Sequence, residues 1–264
     1  MKRSTRRRLR HGSLYVLLLA VVLVLGFTLD WSSVQQTFFN TEGLKHNWHD
    51  LVVTGVKNTV IYTAIAFAAG LVLAVVLALM KLSEVGIYRW LATVYIEFFR
   101  GLPALVTILA MGFGFPIAFG WRPPGGTLGA GLIGLVLVAG AYMAETIRAG
   151  IQAVPKGQTE ASRSLGMSSG KTMTWIVLPQ AFRIIVPPLT NEMVLLIKDT
   201  SLLAFIGATV GSRELTNVAR DMMTSGASAG TATSLTMAGV LYLVITLPLT
   251  RLVAWMEKKQ RRAR

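Results

Sequence analysis

Long uncharged runs, divided by short charged stretches, set the pattern of this chain. Asn58 to Met80 gives 23 residues between Lys57 and Lys81; Gly101 to Trp121 gives 21, Pro123 to Ala144 gives 22, and Met222 to Thr250 gives 29. A membrane-crossing helix needs roughly 20 residues, so each of these four predicts a span. Leu14 to Leu29 is apolar but shorter, and follows a cluster of Lys2, Arg3, Arg6, Arg7, Arg8 and Arg10. That arrangement suits a signal peptide or an uncleaved first helix. The second fits better, because GFTLDW (Gly26 to Trp31) offers no small-x-small cleavage site. Ile184 to Val210 is apolar overall but contains Pro187, Pro188, Glu192, Lys198 and Asp199.

Apolar residues make up 53% of the 264 positions and charged residues 14%, against about 25% charged in soluble domains. A soluble enzyme of ordinary design is excluded. The net charge of +14 then reads as cationic loops on the cytoplasmic side, not as nucleic-acid affinity. Both ends are strongly basic, which places both in the cytoplasm and requires an even number of crossings. Counting Ile184 to Val210 as a span makes six. In that layout residues 30–57, the Arg122 turn and residues 211–230 lie outside and sum to zero charge, whereas the inside segments sum to +16. The expectation is an all-α integral membrane protein of about six transmembrane helices. Cysteine is absent, so disulfides and thiolate metal sites are excluded.

Gly125, Gly126, Gly129, Gly131, Gly134 and Gly140 crowd the fourth span, where small residues let helices approach closely. The longest inside loop is Arg148 to Arg183. Pro155 and Gly157 break the helix leaving the membrane. Glu160 to Gly166 predicts a short helix, with Thr159 as N-cap and Gly166 as a left-handed stop. A second helix is expected from about Ser169 to Leu178-Pro179. The pair could dock in a partner's groove or lie as an amphipathic hairpin on lipid.

In that loop Glu160-Ala161, Gly166, Ile176, Leu178 and Pro179 match the EAA-x3-G-x9-I-x-LP motif, and the chain here resembles bacterial ABC importer permeases. Ser162 replaces the third, usually alanine, position. YIEFFRGLP (Tyr95 to Pro103), AETIRAGIQAVPKGQ (Ala144 to Gln158), LPQAFR (Leu178 to Arg183) and KDTSLL (Lys198 to Leu203) are similar to the polar-amino-acid subfamily. Leu102 stands where that subfamily usually has Thr. The resemblance runs from about Leu51 to Met256. It implies the bacterial inner membrane and the type I importer architecture, whose core has five spans and an external N-terminus; an added first helix moves the N-terminus inside. It divides the chain into a leader, first helix and external loop (1–50), a permease domain (51–256) with a coupling loop at about 150–183, and a basic tail (257–264). It also implies a second permease, identical or homologous, two ATP-binding subunits and an extracytoplasmic amino-acid-binding protein. ATP and Mg belong to the partner ATPase, no cofactor to this chain, and coupling runs by alternating access.

Other chemistry is thin. GMSSGKT (Gly166 to Thr172) has one residue too few between its glycines for a phosphate loop and lacks a preceding strand. His11, His46 and His49 make no helical metal pair, with the last two expected in a loop. Glu97 with Arg100, and Glu145 with Arg148, are spaced for ion pairs on one helix face. Glu192, Lys198 and Asp199 interrupt the fifth span, where charges usually face a cavity or partner. With Pro187-Pro188 they suit a broken helix beside a polar substrate, although Lys198 and Asp199 could simply neutralise each other. The alternative function is an ion-coupled secondary carrier, which would need no such loop and should show inverted repeats. A purely structural scaffold leaves the buried charges unexplained.

Overall fold

The computed structural model describes residues 3–121 and 123–262. Lys2, Arg264, the Arg122 turn and the side chains of the other leader cations lie outside what it describes. All regular structure in the described residues is helical. α1 (Arg3–Thr28) is followed by α2 (Trp31–Phe38) and α3 (Thr41–Asp50), and a π turn at Leu51–Val56 joins α3 to α4 (Lys57–Leu82). Then come α5 (Gly86–Gly101), α6 (Ala104–Leu109), α7 (Phe115–Phe119) and α8 (Gly126–Gln152). The second half holds α9 (Lys156–Ser164), α10 (Ser169–Thr172), α11 (Leu178–Asp199), α12 (Leu215–Thr224) and α13 (Thr233–Arg262).

Lys45–Leu82, Gly126–Gln152 and Thr233–Gln260 are each long and apolar enough to cross a membrane, and two bent pairs raise the number to five. α11 is long enough to make a sixth at 22 residues. The apolar flank of α1 is exposed from Ser13 onward, as lipid contact requires.

Packing centres on α4 against α8. A Cβ at Gly70 would meet the Ala139 Cβ at 3.2 Å and the Gly140 nitrogen at 3.4 Å, and one at Gly134 would meet the Ile108 Cα at 3.1 Å. These are near-backbone contacts of the kind that small residues permit. A second apolar cluster of Leu51, Leu215, Val218, Met237 and Leu241 joins the π turn ahead of α4 to α12 and α13. Beside it the Asn58 amide donates to the Gly211 and Arg213 carbonyls, both at 2.9 Å, and the Tyr62 hydroxyl to that of Ser212 at 2.7 Å.

Four expectations need correction. A helix precedes the expected start of the third span at Gly101: α5 begins at Gly86 and meets α6 at Leu102-Pro103 with a bend of 104°, as a broken span or a re-entrant pair. Counting between charges missed α5 because it is amphipathic: Ala92 and Ile96 are buried while Arg89, Glu97 and Arg100 stay exposed. Pro103 lacks an N–H and holds Leu102 extended (φ −96°, ψ 142°). The last span begins at Thr233, since α12 and a Gly/Ser-rich turn occupy residues 215–232. α11 is not broken at Pro187-Pro188. Pro187 removes the donor for the Arg183 carbonyl, and the Gln260 side-chain amide of α13 donates to that carbonyl instead. His46 and His49 sit on α3, not in a loop.

Glu214, in the connection between α11 and α13, is 1% exposed. Its carboxylate accepts from the Thr216 and Asn217 N–H groups (2.7 and 2.6 Å), capping α12, and from the Tyr242 hydroxyl (2.9 Å). Burial outweighs these donors and pushes the carboxyl up to about 7. A raised carboxyl contributes stability that is present below its ordinary value and lost as pH rises through about 7, worth at most about 3 kcal/mol. The melting temperature of the purified protein should therefore fall between about pH 4.5 and 7, and Glu214→Gln should flatten that slope; an unchanged slope in the variant would assign the titration elsewhere.

Candidate functional site

The break at Leu102-Pro103 leaves the last carbonyls of α5 without helical partners, and the Tyr142 hydroxyl from α8 lies 3.5 Å from that of Arg100. The Arg100 guanidinium stands over the Tyr142 ring, 5.6 Å from its centroid. From α11, Glu192 and Asp199 are half-buried while Lys198 is exposed. The charges acting on Glu192 are those of Asp199 and Arg100, and Lys198 acts on Asp199. Arg100 and Tyr142 thus meet beside a helix break, and Glu192 of α11 lies within electrostatic reach of Arg100 and Asp199. Such a set offers a guanidinium to a carboxylate and carboxylates to an ammonium group. Within its own helix Glu192 has no nearby cation; Arg100 comes from another helix, which no spacing rule could reveal.

One helical turn away on α5 and α8, an ionic network ties these helices to the end of α4. The Lys81 ammonium, 15% exposed, lies 3.2 Å from Glu145 Oε2 and 3.7 Å from Glu97 Oε1. Glu145 also accepts from Arg148, at 2.5 Å from Nη2 and 3.0 Å from Nε. The expected pair of Glu97 with Arg100 is not formed. Glu97 is drawn to the poorly solvated Lys81, and Arg100 turns to Tyr142.

The loop between α8 and α11 carries the third group of residues. α9 begins at Lys156 behind Pro155, so Thr159 is not its N-cap. Glu160 and Ala161 point outward and Leu165 is 85% exposed, whereas Ser162 is buried. The Ser162 hydroxyl donates to the Thr159 carbonyl (2.9 Å) and lies 3.1 Å from the Thr172 hydroxyl. It thereby ties α9 to α10, a use for the hydroxyl that the motif's usual alanine lacks. Gly166 has φ +82°. Its N–H donates to the Arg163 carbonyl (3.0 Å) and that of Met167 to the Ser162 carbonyl (3.1 Å), the paired bonds of a left-handed helix stop.

Ser169 to Asp199 is helical throughout, with a π turn at Met173–Val177 and no stop at Leu178-Pro179. The Leu178 N–H reaches back five residues to the Met173 carbonyl, and Pro179, which has no donor, follows directly on this π turn. Ile176 is half-buried at that junction, while Leu178 and Pro179 are exposed. Among the described residues no group of three His, Asp or Glu could hold a metal ion.

The family described as binding-protein-dependent transport system inner membrane component matches residues 69–262. The probable glutamine ABC transporter permease protein of Bacillus subtilis is 35% identical over 214 residues, 79% of this chain and 93% of the relative. The L-cystine transport system permease protein of the same organism is 38% identical over 180 residues, 68% of this chain and 71% of the relative. A chain in a crystal structure of an amino acid ABC transporter with histidines superposes with a TM-score of 0.70 at 33% identity, covering 79% of this chain and 93% of that one.

Proposed function

The chain belongs to the family of binding-protein-dependent transport system inner membrane components, and from that premise we propose that it forms half of an ATP-driven pathway importing polar amino acids. At the coarser level it is a permease subunit of an ABC importer and a multi-pass membrane protein. The relatives named for glutamine and L-cystine support the substrate class. The polar set of Arg100, Tyr142, Glu192 and Asp199 supports it independently, since it can meet both charges of an amino acid.

The observation that carries the coupling half is the outward face of α9. Glu160, Ala161 and Leu165 stand clear of the permease on a short helix closed by Gly166, a face free to meet a partner. In this scheme Glu160, Ala161 and Gly166 seat α9 in an ATP-binding subunit, while Ile176, Leu178 and Pro179 hold the hinge into α11. ATP and Mg reside in that subunit. When two such subunits close on ATP, the two docked loops approach and the pathway opens toward an extracytoplasmic binding protein. A second permease, a copy or a homologue, completes the pathway. The domain division is the leader with its extra helix (1–50), the permease domain (51–256) and the tail (257–264).

Tagged chain purified from its native membrane should bring an ATP-binding subunit with it, and amino-acid-loaded binding protein should stimulate that subunit's hydrolysis. Absence of the subunit, or hydrolysis indifferent to the loaded binding protein, would overturn the proposal. The charge distribution supports a cytoplasmic location for both ends. Reporter fusions before Leu14 and after Arg262 should both read inside; an external N-terminal reporter would remove α1 as a span.

A further inference from the structure

A groove of about 450 Å³ lies between the start of α11 and the end of α13. Phe182, Arg183 and Pro187 line one wall, and Trp255, Lys259 and Gln260 the other. The transport pathway makes no use of it. Its floor is apolar and open, with Phe182 68% and Trp255 58% exposed. Its mouth is cationic: Arg183 and Lys259 are both exposed, and no acid lines it. Arg251, Trp255 and Lys259 follow at four-residue spacing, which puts them on one face of α13. Glu257, the acid of this helix end, falls on a different face.

Depth along the helix fits the edge of a bilayer. Trp255 stands about 33 Å from Thr233 along α13, close to the ~30 Å hydrocarbon thickness. The Lys259 ammonium lies 5.2 Å from the centre of the Trp255 ring, a cation and an aromatic sharing the level where tails give way to headgroups. The walls are also tied together. The Arg183 carbonyl freed by Pro187 accepts the Gln260 amide, which fixes the backbone that presents the Arg183 side chain.

We propose that this groove binds an anionic phospholipid, its phosphate held between Arg183 and Lys259 and an acyl chain lying along Phe182 and Trp255. Two cations with no acid favour a net negative headgroup over a zwitterionic one, and the Trp255 ring, the face that could stack on a choline ammonium, already carries Lys259. The assignment to the cytoplasmic leaflet rests on the orientation proposed above; the site itself does not. Gln180, three residues before Arg183, lies with its Nε2 3.4 Å from Gln158 Oε1 of α9. A lipid seated here therefore braces the helix that leaves the docking loop.

Native mass spectrometry of the purified full-length chain in detergent, titrated with phosphatidylglycerol, phosphatidylcholine or inorganic phosphate, tests the site. Phosphatidylglycerol should bind about 30-fold more tightly than phosphatidylcholine, the difference expected for two cations at a charged surface. The double substitution Arg183→Gln/Lys259→Gln should remove that preference, and Arg183→Lys/Lys259→Arg should keep it. Equal binding of the two lipids, or an unchanged preference in the glutamine variant, would overturn the proposal. So would inorganic phosphate displacing the lipid, which would make this a soluble-anion site, or a disulfide between two copies carrying Phe182→Cys, which would make the groove an interface. A tail reached only from outside would overturn the leaflet assignment and leave the titrations standing.

Discussion

Replacing Gly166 by valine is expected to release the ATP-binding partner while leaving the permease inserted. Gly166 sits at φ +82°, and a Cβ added there would meet nothing within 4 Å. The obstacle is therefore backbone conformation, not space. A left-handed residue with a side chain costs about 1–2 kcal/mol, and more when branched at Cβ. If the paired bonds from Gly166 and Met167 are lost, α9 no longer ends where it does and Leu165 is re-aimed. Co-purification of the ATPase and ATP-driven uptake should each fall about tenfold or more. Gly166→Asn, which tolerates this conformation better, should recover much of both. Normal co-purification and uptake in the valine variant would detach α9 from coupling.

Glu192→Ala carries the second large effect. Glu192 is half-buried, and the charges acting on it come from Asp199 and from Arg100 across the helix break. An unpaired charge inside the bilayer costs about 2.5–3.5 kcal/mol on insertion scales, so its retention calls for a polar partner. A charged hydrogen bond to a substrate ammonium, if lost, lowers uptake about tenfold or more. Assembly with the ATPase should persist, and the set of amino acids that stimulate hydrolysis should shift. Lys198→Ala, at an exposed position, should change little. An unchanged rate and selectivity for Glu192→Ala would make Glu192 a spectator and move the pathway to other faces.

Spans were legible where charge bounds them on both sides: Lys57 and Lys81 mark α4 almost to the residue. Counting failed at α5, whose Arg89, Glu97 and Arg100 occupy the exposed face of a helix that nevertheless buries Ala92 and Ile96. Local backbone chemistry was legible too, since a glycine after a polar, small-residue helix suggested the left-handed stop found at Gly166. Proline was read less well. Pro103 breaks its helix, whereas Pro187 and Pro188 do not, and the Gln260 amide from α13 meets the Arg183 carbonyl that Pro187 leaves without a donor. No local rule anticipates such a partner. The same limit hid Lys81 as the cation that meets both Glu97 and Glu145, and Arg100 as the cation whose charge reaches Glu192.

The central claim is that this chain moves amino acids only as part of an ATP-driven assembly. Its most direct test is uptake of a radiolabelled polar amino acid into proteoliposomes holding the purified permease with its ATP-binding subunits, with the binding protein added outside and ATP sealed within. Uptake should require ATP and the loaded binding protein together, and an imposed proton or sodium gradient should not replace them. Uptake driven by an ion gradient in vesicles holding the permease alone would contradict the account and identify a secondary carrier.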